Sequence, residues 1–365
     1  MRVNSIDAAV TYAPLKSEVR KFKRPEIQSD SAILRIEAAG VCGSDIGAHQ
    51  QQTMARILGH ENVGVIDEIG EVASQKWGVS EGDRVVVEEY LPCGFCDLCR
   101  TTQFRFCKQT DSRGGGVRYG STGIDVSPSL WGGYARYMYL HPRSILHKVS
   151  SGVSSELLTL SLPIGNGYEW AYLEGGAGPG QVVVVFGPGQ QGLASVYAAK
   201  AAGADQVILF GLSTDDHRLE VGKSLGADHT ADSSRVDPVH FVREVTGGRD
   251  VDLVIDTAVG NTATISAGVE MLRQCGQLLL TTAPDVVNGI PMRAAQWKTI
   301  SIRGVRGHSF AAVEWAMAQI DSDRARISKM CTHSFGIDQV DIAILATAGR
   351  TDHKAVHVSV LPELS

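Results

Sequence analysis

No run of apolar residues in this 365-residue chain reaches the ~18 needed to cross a membrane. The opening MRVNSIDAAVTYAP lacks an apolar core behind a basic flank. Both absences predict a cytoplasmic protein with no membrane partner. A basic surplus is missing too: 34 Lys and Arg against 40 Asp and Glu leave a net charge of −6, with no patch to displace counterions from a nucleic acid. A nucleic-acid partner is therefore not expected, and a small molecule is favoured. There is no short-period repeat and no low-complexity linker, and aromatic residues, at 6%, suggest no aromatic cage.

What is present reads as an ordinary globular protein, 43% hydrophobic and 20% charged, with glycine, at 40 residues, the outlier. The length exceeds what one core usually supports, so about two domains are expected. Residues 31–90 carry alternating runs such as AILRIEA and NVGVIDEIG, broken by glycine-rich turns, which predict antiparallel β structure with one wet face. WGGYARYMYL (131–140) predicts a further strand. Beyond Pro163 the runs VVVVF (182–186), VILF (207–210), VDLVID (251–256) and QLLLTT (277–282) alternate with helix-patterned stretches. That is repeated β-α, hence an α/β class with a parallel sheet covered on both faces. SFAAVEWAMAQI (309–320) predicts a helix with Ser309 as N-cap, and KAVHVSV a closing strand. The β-rich parts bracket the α/β part, so the first domain is expected to be discontinuous.

Four of the seven cysteines fall in LPCGFCDLCRTTQFRFC as C-x2-C-x2-C-x7-C. In a chain read as cytoplasmic they predict thiolate metal ligands rather than disulfides. Cys93, Cys96, Cys99 and Cys107 make a complete tetrahedral set that leaves Zn²⁺ no open position, so the zinc they hold is structural. A second group differs. VCGSD supplies Cys42, Ser44 and Asp45, and LGHENVG supplies His60 and Glu61. One soft, one imidazole and one carboxylate donor with an open fourth position is an arrangement for Lewis-acid chemistry on an alcohol or carbonyl oxygen.

The turn VVVVFGPGQQGLAS places Gly187, Gly189 and Gly192 as G-x-G-x-x-G between a strand and a helix, with Gln190 and Gln191 between the last two glycines. This predicts a dinucleotide whose pyrophosphate sits on the helix N-terminus. The acid expected at the end of the second strand, to hold the ribose 2′-OH, is replaced by Gly211. Ser213, Asp215, Asp216 and Arg218 follow, so NAD and NADP both stay open, with a slight lean to NAD.

GHENVGVIDEIG, VCGSD, the four-cysteine lobe and GPGQQG, in these positions, resemble the zinc-dependent alcohol dehydrogenases of the medium-chain dehydrogenase/reductase superfamily. The texture is closer to the polyol and threonine dehydrogenase branch than to the liver-type alcohol dehydrogenases. The resemblance implies a GroES-like β domain (1–163 and 306–365, with a zinc lobe at 91–108) and a Rossmann domain (164–305). It implies catalytic zinc on Cys42 and His60 with Glu61 at or just behind the metal, Ser44 as the hydroxyl that takes the substrate proton, and Asp45 orienting His60. It also implies Lys354 at the cofactor pyrophosphate, and a homodimer or homotetramer. Two departures stand out. Relatives carry a third ligand where this chain has Leu162, so Glu61, Asp45 or, more distantly, Glu169 must complete the site, or the metal there is weak or absent. Relatives of the liver type carry a proton-relaying histidine where this chain has Gly47, and His49 is the candidate substitute. The main expectation is an NAD(P)-dependent alcohol oxidoreductase. Two others stay open: an NADPH-dependent enone or imine reductase lacking catalytic zinc, and a non-catalytic nucleotide-binding protein with structural zinc.

Overall fold

Five consecutive buried residues, Val182–Phe186, form a strand in the middle of a six-stranded parallel sheet. The computed structural model describes residues 3–51, 53–149, 152–260 and 262–364. Its contacts divide the chain into two units. One comprises residues 1–162, 317–324 and 331–365, and the other 163–316 and 325–330.

In the second unit the strand order is His229–Asp232, Gln206–Gly211, Val182–Phe186, Val251–Asp256, Leu272–Leu280 and Ser301–Gly304. Every neighbouring pair is parallel. Numbered along the chain this is 3-2-1-4-5-6, the Rossmann order. Strands covered on both faces must be apolar throughout, which is why the runs in the sequence are continuous. Val184, Phe186, Ile208, Phe210, Val254 and Leu278 make the core between sheet and helices.

The first unit is a β structure built on a seven-stranded sheet. Ala32–Gly40 lies at its centre, paired antiparallel with Glu61–Ile69, Tyr137–Leu140 and His357–Val360. Arg84–Val87 pairs with Glu61–Ile69. A smaller sheet pairs Ser5–Ala13 with Lys16–Lys23 and Arg56–Ile57. The GroES-like and Rossmann architectures implied by the resemblance are thus both present. The helix expected over 309–320 forms as Phe310–Ser322, and Ser309 Oγ accepts from the Ala312 N–H as its cap.

The strand expected over 131–140 is shorter, Tyr137–Leu140. A Cβ at Gly132 would fall 2.1 Å from the Ile57 carbonyl oxygen, so that backbone is pressed into a close-packed turn rather than a ladder. Among the described residues no helix is long and apolar enough to cross a membrane.

Candidate active site

Cys42 is the N-cap of the helix Gly43–Gln50, with an extended backbone (φ −85°, ψ 155°). Asp45, three residues on, accepts the Cys42 N–H at 3.0 Å through Oδ2, the backward half of a capping box. The local sequence C-G-S-D therefore fixes the direction in which the Cys42 thiol leaves the chain. His60 and Glu61 enter at the start of the strand Glu61–Ile69, where Glu61 pairs in register with Gly40. A Cβ at Gly40 would fall 2.2 Å from Glu61 Oε2, so the glutamate side chain lies in the space a larger residue would fill. Cys42, His60 and Glu61 each bring one donor atom to within 4.8 Å of the others. Thiolate, imidazole and carboxylate are a donor set that fits Zn²⁺.

Asp45 is buried and fully engaged. Its Oδ2 also accepts the Tyr134 hydroxyl at 3.0 Å, and its Oδ1 stands 3.5 Å from His60 Nδ1. That leaves His60 Nε2 for a metal, and it rules against Asp45 swinging in as a ligand. Burial pulls the His60 pKa down, but the carboxylates of Asp45 and Glu89 outweigh it and hold the ring well above its ordinary value. Leu162 is buried and apolar. Glu169 is not free to serve in its place: its Oε2 accepts the Ser309 N–H at 3.0 Å and the Ser309 hydroxyl at 2.6 Å.

The four cysteine sulfurs of the lobe also converge, with Cys93–Cys99 at 3.9 Å, Cys96–Cys99 at 3.5 Å and Cys96–Cys107 at 3.8 Å. Zinc–sulfur bonds of ~2.3 Å in a tetrahedron put sulfurs ~3.8 Å apart, so the lobe has the dimensions of a closed zinc site. The backbone N–H of Phe95, followed by other donors, draws the Cys93 thiol down to about 6, whereas burial pushes Cys99 up to about 12. Four thiols this close need a cation to ionise together.

Of the other expected residues, Ser44 is exposed in the first turn after Cys42. His49 departs from the expected proton relay. Its ring is fully buried, and Nε2 stands 2.7 Å from Asp341 Oδ1, which anchors the helix Gly43–Gln50 to the helix Val340–Thr347. Lys354 is exposed just before His357–Val360.

In the Rossmann unit, Gly187 has φ +92°, and a Cβ at Gly192 would fall 1.9 Å from the Gly187 carbonyl oxygen. Both glycines have reasons internal to the protein. Gly189 has none: its φ is −71°, and a Cβ there would meet nothing within 4 Å. As N-cap of the helix Gln190–Ala201 it keeps open the approach to the first helical N–H groups, those of Gln190, Gln191 and Gly192. Gly211 ends the second strand, Ser213 is exposed and bonds Asp232 at 2.5 Å, and Arg218 is half-buried, 3.7 Å from Asp215.

Residues 28–151 match the alcohol dehydrogenase GroES-like domain and residues 192–322 the zinc-binding dehydrogenase domain. A probable alcohol dehydrogenase of Mycobacterium tuberculosis is 35% identical over 357 residues, 95% of each chain. This chain belongs to the zinc-dependent alcohol dehydrogenase family of the medium-chain dehydrogenase/reductases. An erythritol/L-threitol dehydrogenase of Mycolicibacterium smegmatis is 27% identical over 382 residues, 98% of each chain. An alcohol dehydrogenase of Thermotoga maritima shares the fold, with a TM-score of 0.84 at 23% identity over 98% of this chain and 99% of that one. As a member of this family the chain is an NAD(P)-dependent, dehydrogenase-like oxidoreductase with candidate zinc sites, and the family's substrates are small organic alcohols or carbonyls.

Glu89, Tyr134 and Asp341 escaped the sequence reading. The only signal was Glu88-Glu89 directly behind the buried strand Arg84–Val87, since acids following an apolar strand inward need partners. Glu88 has His147, at 3.0 Å.

Proposed function

We propose that this protein interconverts a secondary or primary alcohol and its carbonyl with NAD⁺, using zinc held by Cys42, His60 and Glu61. The observation that carries the reading is the convergence of those three donors from two separate segments. When bound, zinc supplies Lewis-acid polarisation of the substrate oxygen, and the nicotinamide accepts or returns hydride. Ser44 Oγ accepts the hydroxyl proton while passing its own to the solvent it faces. Asp45 fixes the His60 ring through Nδ1, and Tyr134 holds Asp45 in turn. The N–H groups of Gln190 and Gln191 receive the pyrophosphate, and Gly211, Ser213 and Arg218 frame the adenosine end. His49 steadies the helix that carries Ser44. The four-cysteine zinc is structural.

The division of labour follows the sequence: metal chemistry on 1–163 and 306–365, dinucleotide binding on 164–305. A homodimer or homotetramer in the cytoplasm, with no nucleic-acid or membrane partner, completes the proposal. The test is reduction of NAD⁺ and NADP⁺ at 340 nm across an alcohol panel, using metal-replete protein. Turnover abolished by Cys42→Ser supports the reading. Cofactor binding with no turnover on any alcohol or carbonyl contradicts it, and NADPH-driven reduction of enones or imines that survives Cys42→Ser supports the zinc-deficient reductase.

A further inference from the structure

Glu89 belongs to none of the sequence motifs, yet it stands against the metal group. It follows the strand Arg84–Val87, whose buried valines carry the chain inward, and its side chain is 11% exposed. Glu89 Oε2 lies 3.7 Å from His60 Nε2, the nitrogen that Asp45 leaves available. Nitrogen and oxygen donors on one tetrahedral zinc, with bonds of ~2.0–2.1 Å, stand ~3.4 Å apart, so a small rotation brings this carboxylate to bonding range of a metal on His60.

The same oxygen has a second claim on it. Arg118 reaches Glu89 Oε2 through Nη2 at 2.5 Å and Nε at 3.1 Å. The guanidinium lies over the Tyr90 ring, 4.7 Å from its centre. The arginine is also pinned along its backbone: its N–H bonds Thr122 Oγ1 at 2.9 Å, and the next N–H, from Tyr119, bonds the Glu89 carbonyl at 3.1 Å. A buried carboxylate requires a charged partner. Here a fixed cation stands on one side of it and the metal's imidazole on the other.

We propose that Glu89 is a further protein donor to the metal, filling in the resting site the fourth position that Cys42, His60 and Glu61 leave open, and that Arg118 holds the carboxylate aside when that position is needed. This rests on the proposed zinc at Cys42, His60 and Glu61. The long glycine-rich segment 110–133 then has a definite task, which is to deliver Arg118 to the metal site. Charge stays paired throughout, since the carboxylate moves between two cationic partners.

The test uses full-length protein. Zinc affinity of the second site is measured by competition with a chromophoric chelator, and the d–d spectrum is recorded on the Co²⁺-substituted form. The four-cysteine zinc, next along the chain, is the internal control that the region is folded. Glu89→Gln is expected to weaken the second metal by about tenfold or more and to shift the Co²⁺ band. Arg118→Met is expected to act oppositely, with tighter metal and slower release. A smaller effect of Glu89→Gln with an unchanged band overturns the assignment, as do two variants that both weaken the metal. If the wild type holds two zinc ions and Glu89→Gln leaves the second untouched, only the role of Glu89 falls. If the wild type holds zinc on the four cysteines alone, the proposed catalytic site falls with it.

Discussion

Pro188 lies against Gly211: a Cβ at position 211 would fall 2.9 Å from Pro188 Cγ and 3.1 Å from Asp215 Cβ. The acid expected at the end of the second Rossmann strand is missing because its neighbours fill the space. Asp215 brings its own carboxylate there instead, with Oδ2 on the Leu212 N–H at 3.0 Å and Oδ1 3.7 Å from Arg218. Asp232, paired in register with Gly211 on the next strand, is held by the hydroxyls of Ser213 and Ser234, which lower its pKa. Each carboxylate also faces an arginine, Arg218 beside Asp215 and Arg235 Nε 3.0 Å from Asp232 Oδ2.

Asp215→Asn should weaken NADH binding by about tenfold, the worth of one charge-assisted hydrogen bond, and narrow its margin over NADPH. Fluorescence titration with both cofactors checks this. Gly211→Asp, which restores the expected motif on paper, should lower stability without improving NADH affinity, because the added side chain meets Pro188.

Within the glycine-rich turn, two substitutions should part company. Gly192→Ala drives a Cβ to 1.9 Å from the Gly187 carbonyl and should destabilise the Rossmann unit by about 3 kcal/mol or more. Gly189→Ala meets no protein atom and should melt like the wild type while losing cofactor affinity. Thermal melts with and without NADH separate the two.

These cases show where sequence reasoning reached and where it stopped. Val182–Phe186 and its neighbours were readable because strands buried on both faces leave no polar positions. Lys16–Lys23 was not, because its exposed, charged alternation carries no apolar signal. In the site, Cys42, His60 and Glu61 stood out because few residue types bind zinc and each sat in a compact motif. Glu89, Tyr134 and Asp341 reach the site residues or their helix through contacts spanning 29 to 292 positions, and no local pattern encodes those. Glu169 and His49 show the converse. Each was chemically eligible, and each is committed to a structural partner.

Glu169 should therefore act on stability alone. Glu169→Gln replaces a carboxylate that accepts both the N–H and the hydroxyl of Ser309, and should cost about 1–3 kcal/mol. Zinc content, measured beside the denaturation curve, should not change.

Burial pulls the His357 pKa down to about 3, with its Nε2 2.7 Å from Thr159 Oγ1. The unfolded chain takes a proton near pH 6.5 that the folded ring refuses. Its contribution to stability is thus complete above pH 6.5 and shrinks as the pH falls toward 3, at about 1.4 kcal/mol per unit. Urea denaturation at pH 7.5 and pH 5 should show a loss of about 2 kcal/mol from this group, which His357→Gln removes.

The central claim is that Cys42, His60 and Glu61 hold a zinc distinct from that of the four cysteines. Metal analysis of the purified wild type and of Cys42→Ser tests it most directly. The account predicts about two zinc ions per wild-type chain and about one in the variant, with the melting behaviour of the lobe retained. One zinc in both proteins would contradict it.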